Sequence, residues 1–123
     1  MKETGIGKSL EDYLEVILIL DGQLKNVRSI DVANYMNFSK PSVTYATKEL
    51  KKKGYLVMDE KYNLHLTLKG KKLAECVYER HQFFYNQLIE AGVPPEVAER
   101  DACRMEHVIS EESFQKLKQA RFT

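Results

Sequence analysis

The stretch DACRMEH, residues 101–107, puts a thiol (Cys103), a carboxylate (Glu106) and an imidazole (His107) within five positions. On a helix, residues three and four apart share a side, so Cys103 faces both Glu106 and His107. Two more acids, Asp12 and Glu15, stand three apart near the N-terminus, and His81 lies amid apolar residues further on. Two carboxylates, an imidazole and a thiolate–carboxylate–imidazole set make up the donors of a first-row transition-metal site. Each piece also has a plainer reading. Asp12 and Glu15 suit the positive end of a helix. A lone histidine in a helix is commonly packed or at the surface, and Cys103 could be a small buried hydrophobe, as Cys76 is read. A Cys–His hydrolase is a further option, but no glycine-rich oxyanion turn accompanies the pair.

The elements that must carry these residues are mostly helical. KSLEDYLEVILILDG predicts a first helix with Ser9 as N-cap, Glu11 and Asp12 in its first turn and Gly22 at its end. Leu10, Tyr13, Leu14, Ile17 and Leu18 or Leu20 give it an apolar side. Two short helices come next in VRSIDVANYMNFSKPSVTYATKELKKKGYL. Ile30, Val32, Ala33 and Met36 face inward on the first, and Asn37 and Phe38 form a tight corner. Ser39 caps the second, Pro41 occupies its first turn, and Val43, Ala46, Thr47 and Leu50 point inward. This is the order of a helix-turn-helix. Tyr55 to Met58 and Leu64 to Thr67 read as two short strands around DEKYN, a wing. A long helix then runs to Gly92, with Leu73, Val77, His81, Phe84 and Leu88 on one side and Cys76, Phe83 and Ile89 on another. A helix apolar on two sides packs against more than one neighbour, here including a second copy of the chain. Pro94 and Pro95 open the helix carrying DACRMEH, and Ser110 caps a last helix with Phe114 and Leu117 inward.

Charge is unevenly spread although the net charge is only +1. Residues 38–72 hold nine lysines against three acids, while residues 1–37 carry four basic and six acidic groups and residues 73–123 carry six and nine. A basic middle calls for an anionic partner and acidic ends for cations. On the helix after Ser39, the outward residues Lys40, Ser42, Thr44, Tyr45 and Lys48 suit phosphate and base-edge contacts in a DNA major groove. Alone, such a face reads as solvated lysine; with the helix-turn-helix order, the wing and the charge asymmetry, it reads as DNA-binding. Two cysteines are too few for a disulfide framework. The polar start MKETGIGKSLEDY is not a signal peptide, and VILIL, residues 16–20, is far short of the roughly 20 residues of a membrane span. A cytoplasmic protein with free thiols and no membrane partner is expected.

The motifs SLEDYLEVI, FSKPSVTYATKELKKKGYL, LTLKGKKLA, YERHQFF and DACRMEH, in this order between about Ser9 and Leu117, resemble the metal-dependent repressors that include the diphtheria toxin repressor and the manganese transport regulator. The resemblance implies a mainly α fold: an N-terminal winged helix-turn-helix with a two-stranded wing (residues 1–70), then an α-helical metal-binding and dimerisation domain (residues 71–123). It implies a metal site supplied by both. The manganese-type members place acids at Asp12 and Glu15, a histidine at His81, and glutamate and histidine at Glu106 and His107, and this sequence matches all five. Their remaining ligand is a glutamate where this chain has Cys103. The iron-type members have that cysteine but a methionine at the position of Asp12. Tyr85 and Glu99 stand where the iron-type ancillary site has glutamate and histidine, and the third, SH3-like domain of those proteins is not expected here.

Residues and resemblance together predict a non-enzymatic, metal-activated repressor of manganese or iron homeostasis. It is expected to be a homodimer on a palindromic double-stranded DNA operator, with Mn(II) or Fe(II) as cofactor. DNA contacts fall to Ser39, Lys40, Pro41, Ser42, Thr44, Tyr45 and Lys48, and metal ligation to Asp12, Glu15, His81, Cys103, Glu106 and His107. A winged-helix regulator that senses another ligand, or has lost metal dependence, is the alternative.

Overall fold

The computed structural model describes residues 6–121; residues 1–5 and 122–123, at the outer ends of the two expected domains, lie outside the described residues. The fold is mainly helical. In order it comprises α1 (Gly7–Asp21), α2 (Ser29–Met36), α3 (Lys40–Lys52), β1 (Leu56–Met58), β2 (Leu64–Leu66), α4 (Leu68–Glu90), α5 (Pro95–Met105) and α6 (Glu111–Arg121). The chain forms two compact units, one of residues 8–75 and one built on the residues from Cys76 onward.

In the first unit, α1 buries Tyr13, Leu14, Val16, Ile17 and Leu20. It starts at Gly7, three residues before the Leu10 that a Ser9 cap implies. Ser9 is therefore inside the helix rather than its cap, and Glu11 and Asp12 lie beyond the first turn. The added turn is fastened by the Lys8–Asp12 ion pair, 2.9 Å at i,i+4 spacing. Asp31 accepts the Arg28 N–H at the start of α2, and Asn37 ends that helix in the left-handed region at φ 58°, a conformation asparagine tolerates better than most residues. Ile30 is 43% exposed rather than inward, because this eight-residue helix buries only Val32 and Ala33. On α3 the inward set is as read from the sequence: Val43, Ala46, Thr47 and Leu50.

The two strands pair antiparallel, Leu56 with Leu66, Val57 with His65 and Met58 with Leu64. Leu56 and Leu64 are buried, and Leu64 N–H also reaches the Val27 carbonyl at 2.7 Å. Asp59 builds the turn between them. Its Oδ1 accepts the N–H groups of Lys61 and Asn63, each at 2.9 Å, and its Oδ2 lies 2.8 Å from His65 Nε2. The bond to His65, followed by that to the Asn63 N–H, holds the Asp59 carboxyl well below the usual carboxylate range. Past β2, Thr67 Oγ1 accepts the Gly70 N–H at 3.0 Å and donates to the Gly54 carbonyl at 2.7 Å.

Residues from Cys76 onward form the second unit. Phe84, Ala102 and Phe114 make a core of α4, α5 and α6, with Phe83, Tyr85, Met105 and Ile109 packed against it. Glu79 and Lys118 add an ion pair between α4 and α6. Ser110 Oγ accepts the Ser113 N–H at 3.1 Å, so Ser110 does cap α6. Leu117, expected inward, is 40% exposed, since α6 turns its buried side at Phe114. Ile89, on the second apolar side of α4, is likewise exposed.

Two expectations test this fold. A Cβ on Gly70 would stand 2.0 Å from the Tyr55 carbonyl oxygen. Alanine normally favours a helix over glycine by about 1 kcal/mol, yet Gly70→Ala should destabilise by about 1–3 kcal/mol, as overpacking does. Urea denaturation measures this, and a neutral or stabilised variant would show that α4 does not press on Tyr55. The second concerns the wing. A carboxyl whose pKa falls on folding stabilises above its unfolded value of about 3.9, and this is lost as pH falls through the lowered value. Asp59→Ala should therefore abolish amide-exchange protection of Lys61 and Asn63 at neutral pH, and acid should do so in the parent only well below about pH 4.

Candidate metal centre and nucleic-acid interface

Lys40, Pro41, Ser42, Thr44, Tyr45 and Lys48, the residues expected to meet DNA, all lie exposed on α3, and Ser39 is exposed at its N-cap. Local chemistry fixes this surface. Ser39 Oγ accepts the Ser42 N–H at 3.3 Å and donates to Ser42 Oγ at 2.9 Å. Pro41 fits the first turn, where its missing N–H costs nothing. The helix thus begins cleanly after the Asn37–Phe38 corner, with its positive end and Lys40 at the same place. Tyr45 is 66% exposed, which is unusual for so large a ring and leaves it free to contact a groove. On the wing, Tyr62 is also well exposed, beside Lys61.

In the second unit, Glu106 is common to two donor groups, one with Cys103 and His107 and the other with His81. The sequence places the last three on one helix, but α5 ends at Met105. Glu106 is its C-cap, with its N–H still bonded to the Ala102 carbonyl at 3.0 Å, and His107 stands in the turn beyond. The spacing survives because the chain is still near-helical at Glu106, φ −64° and ψ −21°. A donor atom from each of Cys103, Glu106 and His107 lies within 4.8 Å of the other two. From α4, His81 Nδ1 reaches Glu106 Oε2 at 3.1 Å and Nε2 reaches Glu99 Oε2 at 3.0 Å. The Tyr85 ring stacks on the imidazole, with centroids 6.3 Å apart. Asp12 and Glu15, the remaining expected ligands, stand three apart on α1, Glu15 buried and Asp12 half-buried.

The electrostatics are unusual. Glu106 is wholly buried. Its hydrogen bond to His81 is the main reason that imidazole is held protonated, up to about 9, against the opposing effect of burial. Even so, Glu106 Oε1 has no hydrogen-bond partner; His107 Nε2 lies 3.1 Å away but out of line. A buried carboxylate oxygen left unpaired is costly, and it is relieved by a cation. With Cys103 and His107 in its donor group and His81 on its other oxygen, the Glu106 carboxylate fits a divalent transition metal.

One residue here has no counterpart among those the sequence singles out. Arg80, next to His81, is fully buried. Its Nη1 donates to the Ile109 carbonyl at 2.6 Å and, at the limit of hydrogen bonding, to the Glu106 carbonyl at 3.5 Å. Its Nη2 donates to Glu111 Oε1 at 2.7 Å. A signal for it exists in the sequence: Arg80 lies three after Val77 and four before Phe84, both inward-facing.

The family model of the iron-dependent repressor N-terminal DNA-binding domain matches residues 6–64. That of the iron-dependent repressor metal-binding and dimerisation domain matches residues 67–120. The transcriptional regulator MntR of Escherichia coli O6:H1 (strain CFT073) is 39% identical over 105 residues, covering 85% of this chain and 68% of that protein. The structure of the metal-dependent transcriptional regulator MtsR superposes with a TM-score of 0.84 at 27% identity, over 90% of this chain and 52% of that one. The manganese regulator SloR superposes with a TM-score of 0.81 at 25% identity, over 89% and 52%. The chain thus spans about half the length of these two solved structures. These relatives are regulators of transcription, not enzymes, which removes the Cys–His hydrolase reading. With a winged helix-turn-helix that presents α3 and a helical unit that gathers His81, Cys103, Glu106 and His107, this chain belongs to the iron-dependent repressor family of metal-dependent transcriptional regulators, which includes MntR.

Proposed function

We propose that the chain is a metal-activated repressor that controls manganese or iron homeostasis, binding a palindromic operator as a homodimer in the cytoplasm. Residues 1–70 are read as its DNA-binding part and residues 71–123 as its metal-binding and dimerisation part. The observation that carries the reading is the buried, half-satisfied carboxylate of Glu106 among His81, Cys103 and His107. These four would hold the metal, with Asp12 and Glu15 of α1 completing the set. Bound metal supplies the positive charge that a buried carboxylate needs, with directional ligand bonds. The chain does the rest. To serve as a ligand, His81 would have to give up the proton that Glu106 holds on it. A ligand set that includes Asp12 and Glu15 makes α1 sensitive to occupancy, and α1 belongs to the same unit as α3. Two α3 helices, one per protomer, would then meet successive major grooves. Such coupling is reciprocal, so DNA should tighten metal binding by the factor by which metal tightens DNA binding. No helix among the described residues is long and apolar enough to cross a membrane.

Mn(II) is favoured as the single principal ion. Carboxylates at Asp12, Glu15 and Glu106 are hard donors, and the relative SloR is named as a manganese regulator. A second reading, Fe(II), is favoured by one observation: the softer Cys103 lies in the cluster where a further carboxylate would be harder. Zn(II) should bind tightly, but its preference for four ligands need not engage α1.

On the DNA side, Ser42→Ala and Tyr45→Ala should each lower specific binding by about 1–3 kcal/mol if they touch base edges. Lys48→Ala should weaken all sequences alike and flatten the salt dependence. Parental binding by all three variants, measured on duplexes selected from a palindromic library, would remove α3 from the interface.

On the metal side, DNA binding measured anaerobically with Mn(II), Fe(II), Co(II) and Zn(II) in turn should rank Mn(II) or Fe(II) first. His81→Ala should abolish the metal response while the protein stays folded. Cys103→Glu should move the response further toward Mn(II), and Asp12→Met toward Fe(II). An unchanged order in Cys103→Glu would mean that Cys103 only packs.

A further inference from the structure

Arg80 is an arginine with no exposed surface, a state arginine almost never adopts without partners; its Nε has none, but both terminal nitrogens do. Its partners are not scattered. Two are carbonyls, of Glu106 and Ile109, and the third is the carboxylate of Glu111, so all three lie on the short connection between α5 and α6 and the residue just after it. The guanidinium carbon also stands 5.1 Å over the Phe114 ring, one turn further along α6. Glu111 is charged in this pairing, since the Arg80 bond holds its carboxyl below the usual range. Residues 106–110 lie between the two helices, with Ile109 packed on the aromatic core and Ser110 capping α6. Val108 is exposed, and the backbone bonds there are Glu106 N–H to Ala102 and Val108 N–H to Met105, with Phe114 N–H reaching back to the Ser110 carbonyl. Adjacent positions on α4 therefore take the two ends of one residue: His81 takes the Glu106 carboxylate, and Arg80 takes the main chain on its far side.

We infer that Arg80 is a positioning residue of the metal centre, with Glu111 as its counter-charge: together they hold the 106–110 connection so that Glu106 and His107 present their donors in register with His81. This rests on the proposed metal site. Outer partners of this kind orient the ligands that touch the metal, and their loss commonly weakens metal binding about 10–100-fold. Lysine keeps the charge at position 80 but cannot span two carbonyls and a carboxylate with a planar fork.

The test compares the full-length parent chain with Arg80→Lys and Glu111→Gln, using Mn(II) and Co(II) alone as probes. Circular dichroism and solution mass establish that each variant is folded. Calorimetry should then show Mn(II) affinity in Arg80→Lys lowered about tenfold or more, and in Glu111→Gln lowered less, in the same direction. The visible absorption of bound Co(II), which reports ligand geometry and not stability, should shift in both. A packing role for Arg80 would lower the melting temperature and leave the Co(II) spectrum as in the parent; folded variants with parental spectrum and affinity overturn the inference. If Arg80→Lys does not fold, Glu111→Gln decides by the same criteria, because the Glu111 side chain is half exposed. A parent chain that takes up neither ion overturns the metal site itself, and this inference with it.

Discussion

A carboxylate with no access to water is the constraint around which the second unit is arranged. Removing one charge from water costs several kcal/mol even after relaxation, and attraction to a partner repays it only if the remaining lone pairs are also met. Glu106 meets that demand in part. His81 gives it a charged hydrogen bond, and burial acting alone would have pushed the same imidazole toward neutrality. The sign of the His81 shift shows which effect wins: the proton stays because Glu106 is there. A second buried charge, Arg80, lies over the Phe114 ring, with its two terminal nitrogens on main-chain oxygens and Glu111 and its Nε without a partner. Two buried ionic centres at adjacent positions of α4 are a costly arrangement for a unit of this size. Apolar replacements would commonly serve stability as well or better. Function explains their presence more simply than folding does.

The DNA-facing part is built the opposite way. Its chemistry lies at the surface and its interior is plain. Val43, Ala46 and Leu50 anchor α3 beneath an exposed face of lysines, hydroxyls and one tyrosine. Its precision comes from the ends of elements: Asn37 in the left-handed region, Ser39 on the Ser42 N–H, and Asp59 folding the wing turn onto itself. Each is a local hydrogen bond that sequence alone can announce, since asparagine, serine and aspartate are the residues that compete with helix and strand for backbone groups.

That difference decides how much of each part is legible in the sequence. On α3 every inward and outward residue can be read, because a helical period and a cap suffice to place them. The wing is legible to within a residue at each strand end. Ser9 reads wrongly as a cap because a serine before an apolar period looks the same whether or not the helix has already begun at Gly7. Ile30 and Leu117 read wrongly as inward because periodicity reports which side of a helix is apolar, not whether anything covers it. Glu106 and His107 fall in the right cluster through the wrong geometry. Their spacing from Cys103 is helical, but the helix stops at Met105, and only the near-helical backbone of Glu106 keeps the donors together. Arg80 escapes notice because arginine reads as an outward residue by default, and only its two inward neighbours at helical spacing argue otherwise.

The half-satisfied state of Glu106 also bears on what kind of metal site this chain can form. A structural site has no folded state without its metal, so the binding energy is spent on folding. Here the charge of Glu106 is already balanced by the His81 proton, the aromatic core is closed, and one carboxylate oxygen remains unmet. Leaving that one oxygen unmet costs about 1–3 kcal/mol, which a cation would relieve. A metal that did not have to fold the unit would retain most of its binding energy for biasing conformation. A ligand can shift an equilibrium only by its differential affinity for the two states, and a site that does not have to fold the protein has the most to give to that difference.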